Sequence, residues 1–360
     1  MLALTRLEHK LRPAMARLLS AKAFSDLYSR SRKGYLEKLS RSLPEPVDGH
    51  THPVEVMGLK FRNDLGNAAG LDKDGALLEL NWRLGAGFAV VGTVLDAPHT
   101  GNLVRSFGKE VNPWTPLPFS GSALNSLGLP SLGLEPALDN IKAFRQRVDA
   151  KDFPIGVSIM GHPAQEGQKK TDGILRCVEK SLAVADFIEI NESCPNVKHN
   201  SGEGLASRLE AVARLKKGSD KPILVKLGSM ADAEVTVQMI AAAGLDGLIL
   251  VNTQRDYAAL EAKLDPRDLK LFRWYTSQRQ GGLSGAAIRD ISFEAISRAR
   301  AAADKLGDKK FTLIHVGGIM NRDDVARSRQ IAPLREWYTG LMDALGAHPA
   351  RSVYPSMTKD

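Results

Sequence analysis

The residues best suited to chemistry lie in one hexapeptide, Asn191-Glu192-Ser193-Cys194-Pro195-Asn196. It places a thiol between two asparagines, on the loop leaving the apolar run Phe187-Ile188-Glu189-Ile190. That run reads as a short buried strand. Pro195 cannot donate a ladder hydrogen bond and biases Cys194 away from helix, so the loop is held open. Flanking amides would orient a planar polar ligand while the thiol exchanges a proton. Taken alone, the hexapeptide also fits an ordinary turn, since an unreactive cysteine behaves as a small hydrophobe.

Positioning such a loop takes a scaffold, and the chain shows one. From Val54 onward short apolar runs alternate with helical stretches, the pattern of βαβ units and a parallel sheet. The expected strands are Leu65–Ala69, Phe88–Val94, Ile155–Met160, Phe187–Asn191, Ile223–Leu227, Leu248–Asn252, Phe311–Val316 and Trp337–Thr339. Eight strands with intervening helices predict an α/β fold, a (β/α)8 TIM barrel over residues 54–345, with chemistry on the loops after the strands' C-terminal ends. Two long loops, Ala97 to Leu134 and Gln254 to Ser284, are expected to be functional. Residues 346–360 read as a polar tail, and the turn-rich stretch 46–53 reads as a linker.

Residues 1–45 precede that linker as a basic helical extension. Leu4, Leu7, Leu11, Met15, Leu18 and Leu19 recur at helical spacing, with Arg6, Lys10, Arg12, Arg17 and Lys22 between them. The extension holds ten Lys or Arg against four Asp or Glu, which is most of the chain's net charge of +8. Two readings stay open: peripheral contact with an anionic membrane surface, or packing on the barrel with a solvated basic face. The near-neutral remainder argues against a nucleic-acid groove. Two cysteines, Cys177 and Cys194, give neither a disulfide framework nor metal-ligand spacing, so a reducing cytoplasmic setting without metal is expected. No apolar run reaches the roughly 18 residues of a membrane span, and the N-terminus lacks the pattern of a signal peptide.

The strand ends are polar in type. After the first strand comes Ala68-Ala69-Gly70-Leu71-Asp72-Lys73-Asp74-Gly75, where small residues let a flat ligand approach and Lys73 adds a positive charge. A calcium loop is excluded there, because Gly70 stands at the first ligand position and Asn81 replaces the closing Glu. Thr93 ends the second strand, Ser158 lies in the third, Asn191 ends the fourth, and Asn252 and Thr253 finish the sixth. Lys226 sits inside the apolar strand Ile223–Leu227, which is costly unless it faces an anion, an electron-rich ligand or an ion-pair partner. Gly281-Gly282-Leu283-Ser284-Gly285 and Val316-Gly317-Gly318-Ile319 lack the dinucleotide fingerprint's third glycine. Glycine turns near the last two strands are instead where barrels bind phosphate through backbone N–H groups.

In these blocks the chain resembles the dihydroorotate dehydrogenase family, flavoenzymes of pyrimidine biosynthesis, over nearly all of residues 54–345. The blocks are Met57 to Phe61, Ala68 to Gly75, Gly92 to Val94, Asn125-Ser126-Leu127-Gly128-Leu129, Asn191 to Asn196, Val225 to Leu227, Val251 to Thr253, Gly281 to Gly285, Val316 to Ile319 and Tyr338 to Gly340. The resemblance implies FMN across the barrel mouth. Ala69, Gly70, Thr93, Ser158, Asn191, Lys226, Thr253 and Gly285 would contact its ring and ribityl chain, and Gly317, Gly318, Tyr338 and Thr339 its phosphate. It implies dihydroorotate or orotate on the ring face. Lys73 would pair with its carboxylate; Asn125, Asn191, Asn196 and Asn252 would read its amides; and Ser126, Leu127, Gly128, Leu129 and Thr253 would complete the pocket. Cys194 would be the general base, taking the C5 proton while the C6 hydride passes to the flavin.

Two features point to different subfamilies. Cys194 is the base type of soluble members that use fumarate or NAD, and Asn125 to Pro130 resembles theirs. The extension and Gly70 to Gly75 resemble membrane-associated, quinone-using members, which usually have asparagine where Ser158 stands. A quinone acceptor at the inner face of the cell membrane is therefore expected; fumarate or NAD, or a non-catalytic flavin-binding paralogue, are the alternatives. Glu192 is unusual for the signature loop. Ile331-Ala332-Pro333-Leu334-Arg335-Glu336 is more polar than the family's eighth strand.

Overall fold

Short β-branched runs bounded by glycine, proline and aspartate become parallel strands, and the intervening segments become helices that cover them. The computed structural model describes residues 2–192, 204–308 and 310–359. Numbered along the chain, the barrel strands are β1 (Leu65–Asn67), β2 (Ala89–Val94), β3 (Ile155–Ile159), β4 (Phe187–Asn191), β5 (Ile223–Leu227), β6 (Gly247–Leu250), β7 (Thr312–Val316) and β8 (Leu334–Trp337). Their order is β1-β8-β7-β6-β5-β4-β3-β2, and a parallel bridge from Gly66 of β1 to Phe88, just before β2, links the two edges. The (β/α)8 barrel is as expected.

Side chains alternate across each strand. Phe88, Val90, Phe187, Leu224, Ile249, Ile314 and Leu334 form one apolar cluster inside the barrel. Val91, Val157, Ile188, Ile190, Val225, Leu248 and Leu313 belong to a second, larger core beneath the helices. Each such side chain contributes roughly 1.5–3 kcal/mol on burial.

The eighth strand lies earlier than the sequence suggests. It is Leu334–Trp337, so Tyr338 follows it and Thr339 opens the helix Thr339–Ala347. Its polar residues are tolerated because both are partnered. Arg335, fully buried, pairs with the Asp64 carboxylate and donates to the Ala332 carbonyl (2.5 Å). Glu336 points the other way, into the barrel. The expected polar tail is also corrected: Val353, Tyr354 and Met357 are buried, and the Tyr354 ring packs edge-on against Trp337 at 5.2 Å. Apolar residues spaced along a short helical turn, too few to stand out as a pattern, dock this segment.

The long loops carry structure of their own. Ala97 to Leu134 contains the strands Trp114–Leu117 and Ser122–Asn125, which pair antiparallel with each other, and Gly282–Gly285 adds to the second of them. This small sheet stands at the barrel mouth. Helix α2 (Ala21–Ser40) packs on it, preceded in the chain by α1 (Leu2–Leu18). Ser20 caps α2 by accepting the Ala23 N–H (3.2 Å). Phe24, Tyr28 and Leu39 of α2 are buried, and the Ser29 hydroxyl donates to the Trp114 carbonyl (2.9 Å). α1 packs on the helix Thr339–Ala347, where His9 meets Asp343 at 2.8 Å. The extension thus packs on the barrel, yet Leu4, Leu7, Leu11 and Leu18 of α1 stay exposed.

Candidate active site

A pocket opens at the C-terminal ends of the strands and runs outward under α1. It encloses about 1440 Å³ of empty space, part of it open to solvent. Most of the expected residues meet on its wall. Ala69, Gly70 and Lys73 come from the loop after β1, Thr93 from β2, Asn191 from β4 and Lys226 from β5. Asn252 and Thr253 follow β6, Gly317 and Gly318 follow β7, and Tyr338 and Thr339 follow β8. Asn125, Leu127, Gly128, Leu129 and Gly285 come from the covering segments. Cys194 and Asn196 lie outside the described residues.

Two expected contacts are not on the wall. Ser126 is buried, and its hydroxyl accepts from the Asn102 amide (3.3 Å). Ser158 is fully buried one layer below the pocket, where its hydroxyl donates to Glu189 (2.6 Å) and meets the Thr93 hydroxyl (3.0 Å). Serine is too short to reach past this layer.

The turn bearing Lys73 is pinned from below. The Asp72 carboxylate accepts the Leu77 N–H (3.1 Å), and its backbone carbonyl accepts the Gly92 N–H (2.8 Å). Burial pushes the Asp72 carboxyl up to about 7, with hydrogen bonds opposing.

Beneath the pocket lies a layer of charge absent from the expected site. Lys226 Nζ stands 3.4 Å from Glu189 and 3.2 Å from Glu336. All three are buried. Burial alone would lower the lysine's pKa, but the two carboxylates hold it above its ordinary value. Burial pushes Glu336 up to about 7; Lys226 opposes the shift and Glu189 adds to it. Lys226 is therefore an ion-pair partner as well as a wall residue. Two signals in the sequence mark this layer: Glu189 interrupts an apolar strand, and Lys226 does the same in the next one.

The odd Glu192 also finds a place. Its backbone N–H donates to the Lys226 carbonyl (3.0 Å), and its carboxylate takes two hydrogen bonds from Arg208, at 3.0 and 2.8 Å. Arg208 lies on the helix Leu205–Lys216. This fork-to-fork pair ties the end of β4 to that helix, on either side of the segment carrying Cys194. Replacing Arg208 by alanine is expected to lower stability by about 1.5–3 kcal/mol, read as a lower urea midpoint; an unchanged midpoint would show that the pair holds nothing.

At the far end of the pocket the donor set suits phosphate. Gly317 and Gly318 turn with φ of 107° and 70°, and a Cβ on Gly318 would stand 2.4 Å from Arg289 Cα. Only glycine fits. Next to them begins the helix Thr339–Ala347, whose first amides have no intrahelical partners. Gly285, with φ of 93°, brings bare backbone to the same wall. Two basic residues of the extension reach this region: Arg12 lines the pocket, and Arg32 donates to the Tyr338 hydroxyl (2.7 Å). Neither was distinguishable in the sequence from other arginines on a solvated face.

Barrel, amide-bearing wall and glycine turns together define an enzyme-type (β/α)8 barrel with a polar pocket at the strands' C-terminal ends. Residues 52–341 match the family model for dihydroorotate dehydrogenase. A protein of Delftia acidovorans named dihydroorotate dehydrogenase (quinone) is 30% identical over 339 residues, covering 89% of this chain and 90% of its own. One of Albidiferax ferrireducens with the same name is 32% identical over 314 residues, covering 81% and 82%. Among solved structures, a DHODH from Eimeria tenella in complex with ferulenol superposes with a TM-score of 0.71, at 23% identity, over 91% of this chain and 89% of that one. The chain belongs to the dihydroorotate dehydrogenase family, whose members are flavin-dependent.

Proposed function

We propose that this chain oxidises (S)-dihydroorotate to orotate with FMN, in de novo pyrimidine synthesis, and passes the electrons to a quinone. The observation that carries this reading is the single pocket running from the asparagine-lined barrel mouth to Arg12 beneath α1. One end would hold substrate and cofactor, and the other would admit an acceptor from the side of the extension. When bound, FMN supplies the two-electron acceptor that no side chain offers. Gly317, Gly318, Tyr338 and Thr339 would hold its phosphate, and Ala69, Gly70, Thr93, Lys226, Thr253 and Gly285 its ring and ribityl chain. Lys73 would bind the substrate carboxylate, Asn125, Asn191, Asn196 and Asn252 would orient its ring, and Cys194 would remove the C5 proton. The name shared by the relatives supports the quinone.

Among the described residues no helix is long and apolar enough to cross a membrane. The exposed stripe of Leu4, Leu7, Leu11 and Leu18 instead suits peripheral contact, with Arg6, Lys10 and Arg17 beside it for anionic headgroups. Residues 1–45 would then serve as one unit and residues 54–345 as the other. Leu7→Glu with Leu11→Glu is expected to abolish co-flotation with anionic vesicles while leaving flavin content unchanged. Flotation equal to that of the unaltered protein would exclude this surface.

The acceptor is tested by mixing the dihydroorotate-reduced protein, without oxygen, with a short-chain quinone, fumarate or NAD⁺. Quinone should reoxidise it at least tenfold faster than the others. Reoxidation by fumarate or NAD⁺ alone would overturn the quinone assignment.

A further inference from the structure

The charges beneath the pocket do not balance as drawn. Glu189, Lys226 and Glu336 are each at most 3% exposed, and two carboxylates face one ammonium. Arg335, next in sequence, belongs to the outer face, where it pairs with Asp64. The neighbouring wall positions Thr93 and Asn191 are neutral. A net negative charge held this deep is costly, and one proton relieves it.

Hydrogen-bond directions indicate where that proton sits. The Asn191 amide donates to the Thr93 hydroxyl (2.9 Å). The Ser158 hydroxyl spends its proton on Glu189 (2.6 Å), so in the 3.0 Å contact between hydroxyls Thr93 is the donor. Every donor in this chain points towards Glu189, which also faces the ammonium. Glu189 thus accepts from both Ser158 and Lys226. Glu336 receives Lys226 on Oε2, but its other oxygen, Oε1, is buried and has no hydrogen-bond partner among the described residues. Glu336 is itself a wall residue of the pocket.

We propose that Glu336 is a proton-exchanging group of the cofactor pocket, which takes up a proton as the flavin is reduced and releases it on reoxidation. This rests on the flavin reading above. The electrons come from the substrate. The proton comes from solvent, the only bond made or broken at Glu336 is its carboxyl O–H, and reoxidation returns the proton. Added negative charge above the layer makes Glu336 hold its proton more tightly; conversely, an ionised Glu336 makes the cofactor harder to reduce. Lys226 offsets only part of this, because it is shared with Glu189. Its raised pKa, near 7, puts the exchange in the working range.

The test is an equilibrium reductive titration of flavin-loaded protein against reference dyes at pH 6 and pH 9, for the natural chain and for Glu336→Gln. At pH 6 the two should agree within twofold, since both layers are neutral. At pH 9 the variant should lie about tenfold further towards the reduced form, equivalent to about 30 mV for a two-electron couple. The same offset at both pH values, or none at either, would overturn the proposal. Should Glu336→Gln fail to fold, the infrared difference spectrum of the natural protein on reduction decides, taken at about pH 7.5, where the exchange is largest. A deuterium-sensitive carboxylic acid C=O band should grow in, and its absence would overturn the proposal. Yellow protein without these effects removes this inference alone, whereas protein that takes up no flavin removes the functional reading as well.

Discussion

Replacing Lys226 by methionine is expected to lower stability by about 3–5 kcal/mol near neutral pH. The substitution leaves Glu189 and Glu336 buried with no cation between them, and a methionine side chain restores volume but not charge. The loss should depend on pH in a particular direction. Without the ammonium, both carboxyls would have pKa values above those of the unfolded chain. A raised carboxyl pKa means that the native state binds more protons than the unfolded one, so stability falls as pH rises through the window between the two values. Urea midpoints of Lys226→Met should therefore approach those of the natural chain near pH 5 and diverge by pH 8. A constant difference would mean that Lys226 contributes packing and not charge compensation. Retained flavin content in a folded variant would show that the lysine is dispensable as a cofactor contact.

Replacing Cys194 by alanine is expected to lower kcat by roughly 10²–10⁴-fold, the range of a positioned general base. Flavin content and dihydroorotate binding should change little, because the carboxylate and amide contacts are those proposed for Lys73 and the asparagines. Cys194→Ser should fall between, a hydroxyl being a far weaker base at neutral pH. In the natural chain the rate of flavin reduction should rise with pH until the thiol ionises, near an ordinary cysteine pKa of about 8.5. A pH-independent reduction step from pH 6 to 9, or a loss of less than tenfold in Cys194→Ala, would assign the proton transfer to another group.

How far these features could be read before folding depends on what the strands face. β4 and β5 match their expected limits because Phe187–Asn191 and Ile223–Leu227 are apolar runs with one face on the helices. β8 was displaced because Arg335 and Glu336 look like loop residues until Asp64 and Lys226 are seen to meet them, and those partners lie far away in sequence. The same non-locality hid the charged layer. Glu189 and Lys226 were each visible as a breach of an apolar strand, but only the barrel brings Glu336 to the pair. Most of the wall was legible because flat ligands and phosphates demand glycine, threonine and asparagine at strand ends, and those types stand out. Ser158 was misplaced because its position on the strand was right but its reach was not. Arg12 and Arg32 were invisible because an arginine that turns inward from a helix has the same sequence context as one that does not.

The most direct test of the central claim is anaerobic mixing of the purified, flavin-loaded protein with (S)-dihydroorotate. Loss of the flavin absorbance, with orotate formed in equal amount, is the expected result. A flavin that stays oxidised in excess dihydroorotate, yet bleaches with a chemical reductant, would contradict the assignment of dihydroorotate as the substrate.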